Sequence, residues 1–252
     1  MHSPAAPALP EATISESAGV RFLHLGSIWV QGAMRIRRPQ VVELVYVQRM
    51  LASLLWLDPR TLGQGNALQL GLGAGAITRF THKALRMPTT VVELNPQVVE
   101  VGRSWFHLPA EVEVAVADAG RWLREQARPG SVRLLHVDLY DHEAAAPVLD
   151  DADFYADCRR VLDDEGVMSV NLFGRRASFA ASAARVASVF GAERVWSMQP
   201  TREGNTALIA SRHTALPNAD ELRARAATID TRFGSFGLSA RPWPKMLRPY
   251  RP

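Results

Sequence analysis

Cysteine, lysine and long apolar runs are all scarce in this chain of 252 residues. The single cysteine, Cys158, excludes an internal disulfide and a cysteine-rich metal site, and it predicts a protein of the reducing cytoplasm. The longest apolar run, Met50 to Leu57, is far shorter than the roughly 20 residues that a membrane-spanning helix needs, so we expect no membrane partner. The formal net charge is only +4 and the arginines are scattered, so we expect no nucleic-acid partner.

Several functional signatures are also missing. The 7 histidines show no metal-ligand spacing, so the sequence predicts no metal site. The glycine-rich loop that begins at Gly71 lacks the Lys-Ser/Thr pair of a phosphate-binding P-loop. The first residues have neither the basic start nor the apolar core of a signal peptide.

Composition divides the chain into four predicted parts. Residues 1–20 are rich in Pro, Ala and Ser and predict a flexible tail, and residues 241–252 predict a basic, Pro-rich and solvated tail. Residues 21–60 predict a short N-terminal β-hairpin element with a linking helix that stops before Asp58-Pro59. Residues 61–240 predict the main domain.

The main domain alternates short apolar strands with amphipathic helices. Near-continuous apolar strands such as Val132–Leu139 are typical of a parallel sheet that is covered on both faces. Asn95 and Pro96 predict the capped start of a helix. The alternation therefore predicts a doubly wound α/β sheet of the Rossmann-like kind. The predicted strands are Ala67–Leu72, Thr90–Leu94, Val112–Ala117, Val132–Leu139, Val167–Leu172, Arg194–Met198 and Thr206–Ala210.

A glycine loop and two acids predict a nucleoside site. Gly71, Gly73 and Gly75 follow a strand and open a helix, where the absence of Cβ atoms lets a ligand lie against the backbone. This loop suits either a dinucleotide or an S-adenosyl nucleoside. Glu93 ends the next strand, where a carboxylate can bind a ribose diol. Asp118, followed by Ala119, ends the third strand, where it can accept from an adenine amine or simply cap a helix.

A pair of acids follows the fourth strand of the domain. Asp138 and Asp141 stand at the edge of the sheet where open α/β folds bind ligands. Two close carboxylates need compensating cations or protons, which a polyamine supplies. An ammonium group cannot attack an electrophile until a proton is removed, and repulsion between two acids can raise one pKa toward a general-base value.

These motifs together resemble the polyamine aminopropyltransferase (spermidine synthase) family, in particular its bacterial spermidine synthase-like members. The resemblance runs from about Gly26 to Asn205 and includes the glycine loop, the strand end at Glu93 and the Asp138–Asp141 segment. It implies a class I methyltransferase-type domain behind a small N-terminal β-element, commonly as a homodimer. It also implies transfer of an aminopropyl group from decarboxylated S-adenosylmethionine to a diamine such as putrescine, with release of methylthioadenosine and with no resident cofactor.

The resemblance also implies roles for individual residues. Glu93 is expected to bind the donor ribose and Asp118 its adenine, while Asp138 takes the proton of the attacking amine and Asp141 anchors the acceptor. Acceptor contacts are expected from Tyr140, Tyr46 and Gln48. One departure stands out, because Ala74 occupies the place where synthases of this family carry an aspartate that faces the donor's aminopropyl nitrogen.

Other functions remain open on the sequence alone. An S-adenosylmethionine-dependent methyltransferase on the same scaffold is favoured by Ala74, whereas the acidic pair favours aminopropyl transfer. A non-catalytic nucleoside-binding relative is compatible with the altered loop but not readily with both Asp138 and Asp141. An NAD-dependent oxidoreductase is disfavoured, because no hydride-transfer residues accompany the loop.

Overall fold

The computed structural model describes residues 9–139, 151–173 and 176–251. Within these ranges an 8-stranded sheet, parallel over most of its pairings, is preceded by a 3-stranded antiparallel sheet. One apolar core lies between the large sheet and the helices that contribute Met50, Leu54 and Ile229, and a second lies on the opposite face, with Leu123 and Phe154. The predicted doubly wound α/β fold is confirmed.

The N-terminal sheet begins earlier than the sequence predicts. It consists of β1 (Ala12–Ser17), β2 (Val20–Leu25) and β3 (Val30–Arg35), in that order. The prediction of a flexible tail over residues 1–20 is therefore wrong for β1, and the predicted hairpin has a third strand. The polar composition was misleading because β1 pairs with β2 along its whole length, while Ile14 packs against the small core around Leu23.

The linking helix is short and changes form. Helix α1 (Val45–Met50) continues as a 3-10 helix over Leu51–Trp56, so the predicted stop before Asp58 is confirmed. Every residue of the 3-10 segment is buried against the large sheet, which holds this segment beside the strands.

The central strands are shorter than the apolar runs that predict them. They are β4 (Ala67–Leu70), β5 (Thr89–Glu93), β6 (Glu113–Val116), β7 (Val132–Val137) and the longer β8 (Leu162–Phe173). The connecting helices are α2 (Ala76–Arg79, continued by a π turn to Ala84), α3 (Pro96–Trp105), α4 (Ala119–Glu125), α5 (Ala152–Val161) and α6 (Arg176–Phe190). Asn95 caps α3 as predicted, since its side chain accepts from the N–H of Gln97.

The C-terminal part adds antiparallel strands. Strands β9 (Val195–Met198) and β10 (Asn205–Ser211) are followed by α7 (Ala219–Phe233), α8 (Trp243–Met246) and β11 (Leu247–Pro249). The prediction of a solvated tail over residues 241–252 is wrong, because Trp243 is buried and β11 pairs with β9. Pro244 and Pro249 fit these elements, since Pro is tolerated in the first turn of a helix and on an edge strand.

The order of strands creates a crevice. The sheet runs β11-β9-β10-β8-β7-β4-β5-β6, so the chain moves outward from β4 in one direction through β5 and β6, and then returns to the other side of β4 at β7. In open α/β sheets, ligands bind at such a reversal, outside the carboxyl ends of the strands. Among the helices of the described ranges, none has the length and apolar character needed to cross a bilayer.

Candidate functional site

The glycine loop and the end of β7 touch at this crevice. Gly71 adopts a left-handed φ of 85°, and a Cβ built on it would stand 2.1 Å from the carbonyl oxygen of Asp138. The Gly71 N–H donates to the carbonyl of Val92, and the Asp138 N–H donates to that of Leu70. Only glycine allows two chain segments to approach so closely in this conformation, so the loop and Asp138 are held in a fixed relation.

A cavity of about 980 Å³ opens above these strand ends. Its walls come from the N-terminal sheet, from the segment that leads into α1, and from the ends of the central strands. Most of the predicted site residues within the described ranges line it, namely Tyr46, Gly71, Gly73, Glu93, Asp118, Ala119 and Asp138. Tyr140 and Asp141, which are predicted to contact the acceptor, lie outside the described residues.

Two predicted residues are not among the described residues that line the cavity. Gly75 has a left-handed φ of 68° and precedes α2, and its N–H donates to the carbonyl of Leu72. Gly75 therefore stabilises the turn of the glycine loop and does not line the cavity. The side-chain amide of Gln48 donates to the carbonyl of Val42 at 2.9 Å, so the structure does not bring Gln48 to the cavity.

Asp138 is a half-buried carboxylate at the floor of the cavity, and its hydrogen-bond partners are neutral. Its Oδ2 accepts from the hydroxyl of Tyr46 at 3.1 Å, and its Oδ1 accepts from the amide of Asn171 at 2.9 Å. Burial raises the pKa of Asp138 above its ordinary value, and the two hydrogen bonds oppose that rise because they favour the ionised form. A carboxylate with a raised pKa is suited to take a proton from a bound cation.

Asn171 and Asn205 are site residues that sequence reasoning missed. Asn171 lies on β8, and its Oδ1 accepts from the amide of Asn205 on β10 at 3.2 Å. Together they extend a polar strip from Asp138 across the sheet. A usable indication was present, because an asparagine in the mostly apolar run from Val167 to Leu172 needs buried partners. What the sequence lacks is the pairing of β7 with β8, which places Asn171 beside Asp138.

Glu93 ties the glycine loop to the neighbouring strand. Its Oε2 accepts from the N–H of Leu72 and its Oε1 from that of Asn95, both at 2.8 Å. Burial raises the pKa of Glu93, and these backbone hydrogen bonds act in the opposite direction. Each carboxylate oxygen has a further lone pair, so Glu93 can hold the loop and still accept from a ribose hydroxyl.

Asp118 acts as a helix cap at the cavity wall. Its Oδ1 accepts from the N–H of Arg121 at 2.8 Å at the start of α4. The capping role and the predicted adenine contact are compatible, because Asp118 and Ala119 both line the cavity. A carboxylate fixed by a cap presents its remaining lone pairs in a constant direction.

Ala74 is covered by the N-terminal sheet. Gly32 of β3 lies directly on it, and a Cβ on Gly32 would stand 2.5 Å from the Cβ of Ala74 and 2.6 Å from its backbone nitrogen. Ala74 is accordingly 3% exposed. The volume beside this point of the glycine loop is thus occupied by the backbone of β3.

The charged side chains in the described lining of the cavity are all acidic. The described residues that line it include five acids (Glu43, Glu93, Asp118, Asp138 and Glu203) and no Lys, Arg or His. Apolar side chains such as Val45, Leu139 and Phe173 form much of the remaining wall. Acidic groups separated by apolar surface suit a ligand that has cationic ends and a methylene chain.

Comparison with known proteins assigns this arrangement to a family. No family model matches the chain. A polyamine aminopropyltransferase from Chromobacterium violaceum is 35% identical over 237 residues, which is 92% of this chain and 88% of that protein. The chain belongs to the polyamine aminopropyltransferase family. Another enzyme of that name, from Neisseria meningitidis serogroup A, is 32% identical over 92% of this chain and 88% of its own length.

Solved structures agree on the fold of this polyamine aminopropyltransferase family member. A probable spermidine synthase from Corynebacterium glutamicum superimposes with a TM-score of 0.72 at 19% identity, covering 90% of this chain and 88% of that one. Human methyltransferase-like protein 13, solved with SAH, superimposes with a TM-score of 0.68 at 22% identity over 76% of this chain and 93% of its own. The predicted methyltransferase-type fold is confirmed, and the chain is an enzyme of the transferase class.

Proposed function

We propose that this enzyme transfers the aminopropyl group of decarboxylated S-adenosylmethionine to putrescine, forming spermidine and methylthioadenosine. The observation that carries the proposal is Asp138, a half-buried carboxylate at the acid-lined cavity whose partners Tyr46 and Asn171 are both neutral. When a ligand fills the cavity and excludes water, a carboxylate with neutral partners is costly unless that ligand supplies the opposite charge. A diamine supplies it.

The proposed reaction uses this arrangement in the following way. Asp138 takes a proton from the near ammonium of the acceptor, and the freed amine lone pair attacks the carbon next to the donor sulfonium. The new N–C bond forms as the C–S bond breaks, and the bonding electron pair leaves with the sulfur of methylthioadenosine. Catalysis then comes mainly from holding both substrates in line and from deprotonation.

The donor is proposed to lie along the glycine loop. Gly71 and Gly73 admit the nucleoside close to the backbone, Glu93 accepts from the ribose hydroxyls, and Asp118 with Ala119 meets the adenine. Asp141 as the acceptor anchor and Tyr140 as a channel residue remain predictions, as do the homodimer and the cytoplasmic location.

A methyltransferase using S-adenosylmethionine is the second candidate, and Ala74 favours it. A carboxylate at this point of the loop would attract the free ammonium of the decarboxylated donor, and here the backbone of Gly32 covers an alanine instead. Competition for binding between S-adenosylmethionine and its decarboxylated form separates the two candidates.

An assay with purified protein tests the proposal. We expect methylthioadenosine and spermidine in equal amounts from decarboxylated S-adenosylmethionine and putrescine. S-adenosylmethionine with the same amine is the control, and we expect no S-adenosylhomocysteine from it. Failure to form methylthioadenosine with any of several diamines would overturn the proposed reaction.

The Tyr46→Phe variant tests the role of Asp138 through the pH profile. The active base is the ionised carboxylate, so kcat/KM falls as pH decreases through the pKa of Asp138. Since burial raises this pKa, the wild-type acid limb should lie above the ordinary carboxyl value of about 4. Loss of the Tyr46 hydrogen bond removes a contact that lowers the pKa, so we expect the limb to move to still higher pH.

A matched variant controls for loss of a hydroxyl elsewhere. Tyr250→Phe changes a tyrosine that lines a separate groove, and its pH profile should coincide with that of the wild type. An acid limb in Tyr46→Phe that stays in place or moves to lower pH would contradict the assignment of Asp138 as the base.

A further inference from the structure

The acceptor of the proposed reaction has a second ammonium group that also needs a carboxylate. Asp138 serves the attacking nitrogen, whereas the distal nitrogen lies at the other end of the methylene chain. Glu93 and Asp118 lie at the ends of the strands beside the glycine loop, where the donor ribose and adenine are proposed to bind. Glu43 is held by a bidentate ion pair with Arg35, at 2.6 and 2.9 Å. Among the acids of the described lining, Glu203 remains.

The turn between β9 and β10 is built to hold Glu203 at the cavity. The N–H of Thr201 donates to the carbonyl of Asn205 at 2.8 Å, and the N–H of Asn205 donates to the hydroxyl of Thr201 at 3.2 Å. From the side of α1, the guanidinium of Arg49 donates to the carbonyl of Gln199. These contacts hold the backbone of the turn against the cavity wall that carries Tyr46. The backbone position of Glu203 is therefore set by its neighbours in the turn.

The carboxylate of Glu203 is exposed and ionised. Its own backbone N–H, followed by the Thr201 hydroxyl, holds the pKa of Glu203 below the ordinary value, with a smaller contribution from the charges of Arg49 and Arg202. Neither arginine is among the described residues that line the cavity. A cationic ligand in the cavity therefore meets the carboxylate of Glu203 and neither of these two guanidinium groups.

A polar strip connects Glu203 with the reaction centre. Hydrogen bonds run from Asp138 to Asn171 and from Asn171 to Asn205, which is two residues from Glu203. Apolar groups of Val45 and Phe173 line the same cavity. The chain of an extended diamine can thus lie on apolar surface, with one nitrogen at Asp138 and the other directed toward the turn.

We propose that Glu203 binds the distal ammonium of the acceptor and thereby gives this enzyme its preference for diamines over monoamines. This inference rests on the proposed aminopropyl transfer. Because the distal nitrogen takes no part in the bond that forms, Glu203 acts on binding only. Its removal should therefore raise the KM for a diamine and leave kcat unchanged.

The test compares two acceptors of equal carbon chain, putrescine and n-butylamine, in wild type and Glu203→Gln. We expect the variant to raise the KM for putrescine roughly three- to tenfold, as for a partly exposed ion pair, with kcat within about twofold of wild type. The KM or inhibition constant of n-butylamine should not change, because this amine has no distal charge. Glu193→Gln, an exposed acid outside the described lining of the cavity, is the matched control and should behave as wild type.

The outcomes separate this inference from the proposed reaction. A wild-type protein that forms no methylthioadenosine with any diamine contradicts the reaction itself. An active wild type whose Glu203→Gln variant keeps its KM, or loses affinity for both amines alike, overturns the role of Glu203. If Asp141→Asn loses the preference for diamines and Glu203→Gln keeps it, the distal nitrogen belongs to Asp141. That result also overturns the role of Glu203.

Discussion

Replacing Asp138 by asparagine should lower kcat by about 10²- to 10⁴-fold, which is the contribution of a positioned general base. Asparagine has the shape of a protonated aspartate, and the site already holds this side chain among neutral partners, Tyr46 and Asn171. We therefore expect the variant to fold and to bind methylthioadenosine nearly as well as wild type. Single-turnover kinetics and calorimetric titration with methylthioadenosine measure the two quantities.

Asp164→Asn is the control for this prediction, because the Asp164 side chain is 89% exposed and lies outside the described lining of the cavity. It should retain wild-type kcat. Equal losses of turnover and nucleoside affinity in Asp138→Asn would show that Asp138 shapes the donor site and is not the base. If Asp138→Asn kept a kcat within tenfold of wild type, Asp138 would not be the general base.

The Gly71→Ala variant should be strongly destabilised and should lose nucleoside binding. The left-handed conformation alone costs a residue with a Cβ roughly 1–2 kcal/mol. In addition, the new Cβ would meet backbone atoms of Asp138, the nearest at 2.1 Å, and overpacking of this kind costs about 1–3 kcal/mol more. We expect a total loss of about 2–5 kcal/mol in the free energy of unfolding, measured by urea denaturation.

Gly19→Ala separates the two contributions. Gly19 has a similar φ of 76° and no heavy atom within 4 Å of a built Cβ, so this variant carries only the conformational cost of roughly 1–2 kcal/mol. If Gly71→Ala lowered the free energy of unfolding no more than Gly19→Ala does, the glycine loop and the end of β7 would not be in close contact. The difference between the two unfolding free energies measures that contact.

Sequence patterns predicted the elements whose burial follows a simple period. The helix capped by Asn95 and the strand that ends at Glu93 were found because caps and apolar runs are local features. Strands β1 and β11 were not found, since polar and Pro-rich segments are stabilised here by pairing with distant or neighbouring strands. Such pairing depends on the tertiary fold and leaves little trace in local composition.

The candidate site shows the same division. Asp138 and the glycine loop were predictable because both follow strands at an edge where ligands bind. Asn171 joins the site only through the parallel pairing of β7 with β8, and Glu203 only through the hairpin that returns β10 to β8. The family resemblance predicts Gln48 at the cavity, whereas in the structure its side-chain amide donates to the carbonyl of Val42.

The contact between Gly32 and Ala74 has a consequence for engineering and for comparing relatives. A larger side chain at either position requires the other segment to move, because the backbone of β3 packs on the side chain of Ala74. We therefore expect a homologue with aspartate at the position of Ala74 to carry its first sheet farther from the loop. The two positions should therefore covary, and reading them as a pair would sort members of the family by how they recognise the sulfonium donor.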